Sequence, residues 1–200
     1  MTLIYSDPTA ALLFWLTFLS WVALDIRIVL DSLRGRDRPR RASGDSPSGS
    51  SPLVGLAGIW VGIAAGFAVA NVHAFVLPYK WALLAVGLAL TWCGIALRYS
   101  AKRALGRFFV CAVSIQEGHR VVSDGPYGIV RHPGYTGSLL SLFGLGLATA
   151  NVVTTALFFV IPLVLLVRRM RVEEARLVAA LGSEYEAFRD SRSRLVPGIY

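Results

Sequence analysis

The sequence predicts an all-α integral membrane protein with about five transmembrane helices. Of its 200 residues, 55% are hydrophobic and only 16% are charged, whereas a soluble domain of this length exposes more charge. Long apolar runs contain no charged side chain. The connections between these runs alternate between many and few Lys and Arg residues, which is typical of a polytopic membrane protein.

Five apolar runs define the helices: residues 10–24, 53–77, 81–97, 139–150 and 152–167. About 20 helical residues cross the hydrocarbon core, so the second run spans it alone and the third is near the lower limit. The first run is long enough if the helix continues to Leu30, with Asp25 facing a partner and Arg27 reaching the membrane interface. The last two runs meet at Ala150 and Asn151 and predict a tight helical hairpin over residues 135–167.

The basic residues predict the orientation. None precedes the first helix, six lie in residues 27–41, one is Lys80, six lie in residues 98–131 and seven follow residue 167. The positive-inside rule then places the N-terminus outside and the C-terminus in the cytoplasm. We attribute the net charge of +8 to this orientation and to attraction by anionic lipid. No basic stripe is interleaved with exposed aromatic residues, so we expect no nucleic-acid partner.

The chain divides into N-terminal transmembrane helices, residues 1–97, and a second module, residues 98–200. Residues 34–52 are rich in Ser, Gly, Pro and Arg, a composition that predicts a flexible cytoplasmic loop.

Gly55, Gly58, Gly62 and Gly66 recur at three- or four-residue spacing in the second helix. Such spacing lets helices approach closely in a membrane, and we expect it to serve packing, including self-association into a homo-oligomer. The two cysteines lack CxxC spacing, so we expect no metal site.

The candidate catalytic and ligand-binding residues lie in the second module, in a cytoplasmic loop and in amphipathic helices near the C-terminus. The densest cluster is GPYGIVRHPGYTG, residues 125–137, just before the hairpin. Pro133 suits the first turn of a helix, because its φ is fixed and it lacks an N–H. Backbone N–H groups at that helix start, together with Arg131 and His132, predict a seat for a carboxylate. Tyr127 and Tyr135 offer rings on which a flat ligand could stack.

A second cluster follows the hairpin, where Arg169 and Glu173 lie four residues apart and share a helix face. By itself this spacing fits a surface ion pair of a few tenths of a kcal/mol, roughly the value of exposed pairs. Because the hairpin is flanked by both clusters, we expect it to bring them together at the membrane boundary. Gly182 interrupts the terminal helix, and Ser183 with Glu186 fits a capping box that begins a new helix.

The order of GPYGIVRHPGYTG, a hairpin and RRMRVEEARLVAALGSEYEAF resembles the signature half of isoprenylcysteine carboxyl methyltransferases and related phospholipid methyltransferases. The resemblance covers residues 106–200. In that family the RHPxY turn and the Glu-Glu helix bind S-adenosylmethionine outside any Rossmann fold. No strand-borne glycine fingerprint occurs in this sequence, which agrees with that expectation.

The resemblance implies roles for ten residues. Three match positions that line the reaction centre: Gln116, Arg169 and Glu173. Seven match cofactor contacts: Tyr127, Arg131, His132, Pro133, Tyr135, Gly137 and Glu174. The implied activity is methyl transfer from S-adenosylmethionine to a lipidic or prenylated acceptor at the bilayer.

The residues leave the acceptor open. A carboxylate acceptor needs only orientation, which Arg169 held by Glu173 would supply. A phospholipid amine must first lose a proton, for which Glu173 or His132 would serve as the base. An NADPH-dependent sterol or enone reductase and a non-catalytic scaffold are the remaining alternatives. We expect a lipid tail to enter between the glycine-rich helix and the hairpin.

Overall fold

The computed structural model describes residues 1–34, 52–106 and 121–199 of the chain. Within these ranges the secondary structure is helical apart from two isolated β-bridges. The α-helices, in order, are α1 (Leu3–Ser6), α2 (Pro8–Arg34), α3 (Pro52–Val69), α4 (Lys80–Leu105), α5 (Pro133–Ala148), α6 (Val152–Leu181) and α7 (Ser183–Ser191). Short 3₁₀ helices occupy His73–Phe75 and Gly125–Gly128. The predicted loop of residues 34–52 lies almost entirely outside the described residues.

Three of the described helices are long and apolar enough to cross a membrane: Pro8–Ile28, Lys80–Leu105 and Val152–Leu181. The all-helical membrane class is therefore confirmed, whereas five crossings remain a prediction. Helix α5 has 16 residues and extends about 24 Å at about 1.5 Å per residue, less than the hydrocarbon thickness of about 30 Å. By the same measure α6, with 30 residues, is about 45 Å long and reaches beyond the core.

Helices α2 and α3 do not end where the predicted apolar runs end. Helix α2 continues to Arg34, and Asp25 faces Arg98 on α4 with an Oδ1–Nη1 distance of 2.9 Å, so the expected partner is present. Helix α3 ends at Val69, earlier than predicted. The Asn151 side-chain amide donates to the carbonyls of Val69 and Ala70, both at 3.2 Å, and thereby satisfies the carbonyls at this helix end.

Helices α4 and α5 approach so closely that their backbones touch. A Cβ on Gly137 would lie 2.6 Å from the Gly94 carbonyl oxygen, and a Cβ on Gly144 would lie 2.5 Å from that of Gly87. Ser141 Oγ donates to the Thr91 carbonyl at 3.2 Å within this contact. Only glycine fits at such distances, so these residues fix α5 against α4.

Helix α3 packs on α6 through the same kind of surface. A Cβ on Gly58 would lie 2.7 Å from Leu165, and one on Gly62 would lie 3.2 Å from Ile161. These glycines therefore pack within the chain, and self-association through α3 stays a prediction. Leu165 and Ile161 of α6 lie against these glycines, and the entry of a lipid tail between α3 and the hairpin stays a prediction.

The predicted hairpin of α5 and α6 is confirmed, with Thr149, Ala150 and Asn151 as its connection. Asn151 Oδ1 caps α6 by accepting from the backbone N–H groups of Val153 and Thr154 at 3.0 and 3.1 Å. The break at Gly182 is also confirmed, since its φ is +57° and its N–H donates to the Val178 carbonyl. The capping box is not formed, because Gly182 occupies the cap position and Ser183 is already helical.

Candidate active site

The site is built around the RHP turn, which we define as Arg131, His132 and Pro133. Pro133 is the first residue of α5 and is buried, as its fixed φ favours. His132 is the residue before this helix and is 6% exposed. The turn therefore lies where α5 begins and where α6 passes on its way out of the hairpin.

Glu174 of α6 is the centre of a buried charge cluster with the RHP turn. Arg131 Nε donates to Glu174 Oε1 at 3.0 Å, and His132 Nε2 lies 3.0 Å from the same oxygen. An ionised carboxylate only accepts hydrogen bonds, so Nε2 carries the hydrogen. The Glu174 side chain is 7% exposed. The predicted meeting of the two clusters is confirmed, but these three side chains bind each other and not an open cavity.

Tyr135 connects the RHP turn to Arg169 and Glu173 of α6, the predicted second cluster. Arg169 Nε donates to the Tyr135 hydroxyl at 2.8 Å, and this hydroxyl donates to Glu173 Oε2 at 2.8 Å. The His132 and Tyr135 rings stack with centroids 5.5 Å apart. Arg169 and Glu173 are half-buried, so they are more accessible to a ligand than Glu174 is.

Two buried tyrosines, Tyr127 and Tyr185, lie near these charges. Burial first, and the Glu173 carboxylate second, raise the pKa of the Tyr127 phenol above its ordinary value. Burial likewise raises the pKa of Tyr185 on α7, with the carboxylates of Glu174 and Glu173 adding to the effect. A raised pKa keeps each phenol neutral at physiological pH, so each retains an O–H that can donate a hydrogen bond.

Two other predicted site residues stand apart from this cluster. Gly137 is buried against α4, where close helix contact explains the absence of a side chain. Its predicted contact with a cofactor stays a prediction. Gln116 lies outside the described residues.

Arg194, which the sequence alone did not single out, completes the cluster from beyond α7. Its Nε donates to Glu174 Oε1 at 3.2 Å, and one of its terminal nitrogens donates to Oε2 at 2.6 Å. Arg131 meanwhile donates to the carbonyls of Arg189 and Arg192. The excess of Arg after the last helix was a signal for this contact in the sequence, but the same residues also indicate the membrane orientation of the chain.

An apolar groove of about 470 Å³ runs beside the cluster along the outer face of the hairpin. Its walls come from α5, α6 and the chain after α7. Its lining residues are Thr136, Leu139, Leu140, Phe143, Phe159, Leu163, Val167, Leu195 and Val196. The groove is lined by Thr136, which follows Tyr135 in the chain, and by Val167, two residues before Arg169, so this apolar surface begins close to the charged pair in the chain.

Comparison with known proteins finds sequence similarity over much of the same part of the chain. Residues 85–179 match the isoprenylcysteine carboxyl methyltransferase (ICMT) family. The match begins within α4, upstream of the predicted start at residue 106, and so includes the α4–α5 glycine contact. It ends within α6, before Arg194.

Individual relatives carry the corresponding name. The chain is 36% identical over 108 residues to the protein-S-isoprenylcysteine O-methyltransferase of Schizosaccharomyces pombe, covering 53% of this chain and 46% of that protein. It is 30% identical over 114 residues to the probable protein-S-isoprenylcysteine O-methyltransferase of Oryza sativa subsp. indica, covering 56% and 60%. It is 31% identical over 111 residues to protein-S-isoprenylcysteine O-methyltransferase B of Arabidopsis thaliana, covering 54% and 56%. The chain spans about half the length of these curated relatives, and the matches support an ICMT-like family.

Proposed function

We propose that this chain, as an ICMT-like membrane protein, transfers a methyl group from S-adenosylmethionine to the carboxylate of an isoprenylcysteine-type or similar lipidic acceptor. The observation that carries the proposal is the Tyr135 bridge between Arg169 and Glu173, held beside the buried RHP turn. It places a cation, a carboxylate and an aromatic pair within one small region. The family match and the names of the relatives support the same chemistry.

The residues present fit a cofactor that carries a positive charge and one planar aromatic ring. S-adenosylmethionine supplies an activated methyl group on a sulfonium. The Glu173 carboxylate and the Tyr135 ring are groups that attract such a cation. We propose that Tyr127, Arg131, Pro133, Gly137 and Glu174 shape or contact the same site, as the resemblance implies.

The acceptor carboxylate suits Arg169. A carboxylate is already ionised at neutral pH, so the protein has only to orient its oxygen toward the methyl carbon. The Arg169 guanidinium, fixed through Tyr135, would attract and align that carboxylate. In such a transfer the carboxylate oxygen would take the methyl carbon and the S–C electron pair would stay on sulfur, so no side chain would have to move a proton. Gln116 would line the same centre.

The groove gives the acceptor's apolar part a place beside the charged pair. We propose that the prenyl or lipid tail lies along the hairpin, against Leu139, Phe143 and Leu163, with its polar end at Arg169. We further propose an active site facing the cytoplasm, an N-terminus outside, and a catalytic module formed by residues 98–200. The names of the relatives favour neither the phospholipid amine nor the reductase alternative.

The test is methyl transfer by the detergent-purified protein from methyl-labelled S-adenosylmethionine to an S-farnesylcysteine with a free carboxylate. The product of carboxyl transfer is an ester, which releases labelled methanol in alkali, whereas an N-methyl product does not. The same compound with its carboxylate already esterified is the matched substrate control. Phosphatidylethanolamine vesicles and NADPH with an enone test the two alternatives.

Tyr135→Phe keeps the ring and removes the hydroxyl that joins Arg169 to Glu173. Hydrogen bonds to charged groups contribute roughly 1.5–3 kcal/mol, so kcat/KM should fall about 10- to 100-fold. Tyr5→Phe, at an exposed tyrosine, should leave it unchanged. Transfer to a purely water-soluble carboxylate as efficient as to the farnesylated one, or full activity in Tyr135→Phe, would refute the proposal.

A further inference from the structure

The chain after α7 folds back over the RHP turn as a short segment, residues 192–196, which we call the C-terminal strap. The backbone N–H groups of Arg131 and His132 donate to the carbonyls of Ser193 and Arg194 at 2.9 and 3.1 Å. The Thr136 hydroxyl donates to the next carbonyl, that of Leu195, at 2.9 Å. Three successive strap residues are thus bonded to the turn that begins α5.

Neighbouring side chains of the strap serve opposite sides of the site. Leu195 is 4% exposed and packs with Leu139, Leu166 and Met170, where it also lines the groove. Arg194 makes a bidentate contact with both oxygens of Glu174, and this geometry fixes the orientation of the carboxylate as well as its position. The Arg194 side chain is 19% exposed, so this pair is largely shielded from water.

The contact with Glu174 has a consequence for His132. Both residues meet at Oε1, the oxygen that Arg194 Nε also contacts, so the position of this oxygen sets where the imidazole is held. The His132 ring in turn stacks on Tyr135, whose hydroxyl joins Arg169 to Glu173. An unbroken series of contacts therefore runs from the strap to the residues of the proposed reaction centre.

We propose that Arg194 is a positioning residue, which acts through Glu174 to hold His132 and the RHP turn in the geometry that binds the cofactor. The inference rests on the proposed function. It concerns a residue outside the segment that matches the family, 85–179, and it gives the end of this chain a role in the site. The strap's bonds to the turn support the same role through the backbone.

The kinetic test compares Arg194→Ala, Arg194→Lys and the matched control Arg171→Ala, which removes an exposed Arg from α6. Arg194→Ala should raise KM for S-adenosylmethionine and lower kcat/KM roughly tenfold or more, with KM for the farnesylated acceptor unchanged. Arg194→Lys keeps the charge and one donor to Glu174, so it should recover part of the loss and guard against misfolding of the alanine variant. Arg171→Ala should behave as the wild type.

A double-mutant cycle decides whether Arg194 acts through Glu174. In a Glu174→Gln background, Arg194→Ala should change kcat/KM by less than about twofold, because the charge that it holds is already gone. An equal loss in both backgrounds would overturn the inference, as would an Arg194→Ala enzyme indistinguishable from Arg171→Ala. A loss expressed only in the KM of the acceptor would also overturn it.

A second measurement does not depend on activity. In protein with ¹³C-labelled histidine, the His132 ring resonance, assigned by its loss in His132→Ala, should shift in Arg194→Ala and stay in place in Arg171→Ala. If the wild type transfers no methyl group, the proposed function fails, and this resonance still decides whether Arg194 fixes His132. An unmoved resonance would refute the positioning role whatever the activity.

Discussion

The buried cluster around Glu174 predicts a large loss of stability when its single carboxylate is neutralised. Glu174→Gln keeps the shape of the side chain but removes the charge that Arg131 and Arg194 share, with side chains 11% and 19% exposed. Breaking a buried ion pair costs about 3–5 kcal/mol, because the partner charge stays buried without compensation. Since Arg194 retains some contact with solvent, we expect a value near the lower end, about 3 kcal/mol.

Thermal unfolding of the detergent-purified protein measures this effect. At about 2–4 °C per kcal/mol for a chain of this size, the midpoint should fall by about 6–12 °C. Glu186→Gln makes the same chemical change at an exposed position of α7 and should shift the midpoint very little. If the two variants unfold within about 2 °C of each other, roughly one kcal/mol at most, the cluster does not stabilise the fold as we reason.

Three further predictions concern other parts of the fold. Gly137→Ala forces a Cβ to within 2.6 Å of the Gly94 carbonyl oxygen and should lower the unfolding midpoint by the equivalent of about 1–3 kcal/mol, whereas Gly55→Ala, with nothing within 4 Å, should not; equal midpoints would contradict the close contact. Asn151→Ala leaves the carbonyls of Val69 and Ala70 and the start of α6 unsatisfied and should cost about 2–4 kcal/mol in the same assay, so a loss below about 1 kcal/mol would count against this reading. The raised pKa of Tyr185 means that the folded state keeps a proton that the unfolded state releases near pH 10, so the stability it contributes is present below about pH 10 and is lost as pH rises further. Tyr185→Phe should therefore make the alkaline loss of stability less steep, and one late-titrating phenol should vanish from the ultraviolet titration.

Much of the architecture followed from local sequence features. Apolar runs without charge predicted the helices, because a backbone in hydrocarbon must satisfy its own hydrogen bonds. The junction of the last two runs at Ala150 and Asn151 predicted the hairpin, and Gly182 predicted the break before α7. The expected partner of Asp25 exists, although the sequence did not identify it as Arg98.

The boundaries of α3 were beyond local reasoning. The run of residues 53–77 contains no helix-breaking proline or charge, so its composition favours a longer helix than the one observed. The end is set by Asn151, which is 82 positions from Val69 in the chain and satisfies its carbonyl in space. A tertiary hydrogen bond decided the boundary, and no pattern within the run records it.

Four features follow from the sequence alone: the membrane class, the hairpin, the RHP turn at the start of α5, and the meeting of that turn with the Arg169–Glu174 region. Each of these depends on residues near one another in the chain, or on a short connection that forces two helices to be neighbours. Three features depend on tertiary packing: the enclosure of Glu174 by Arg131, His132 and Arg194, the Tyr135 bridge between Arg169 and Glu173, and the position of the groove on the hairpin. These contacts join residues from 20 to 43 positions apart in the chain. The strength of a contact between charges depends on their distance and on their burial, and the spacing of residues in the sequence determines neither of these.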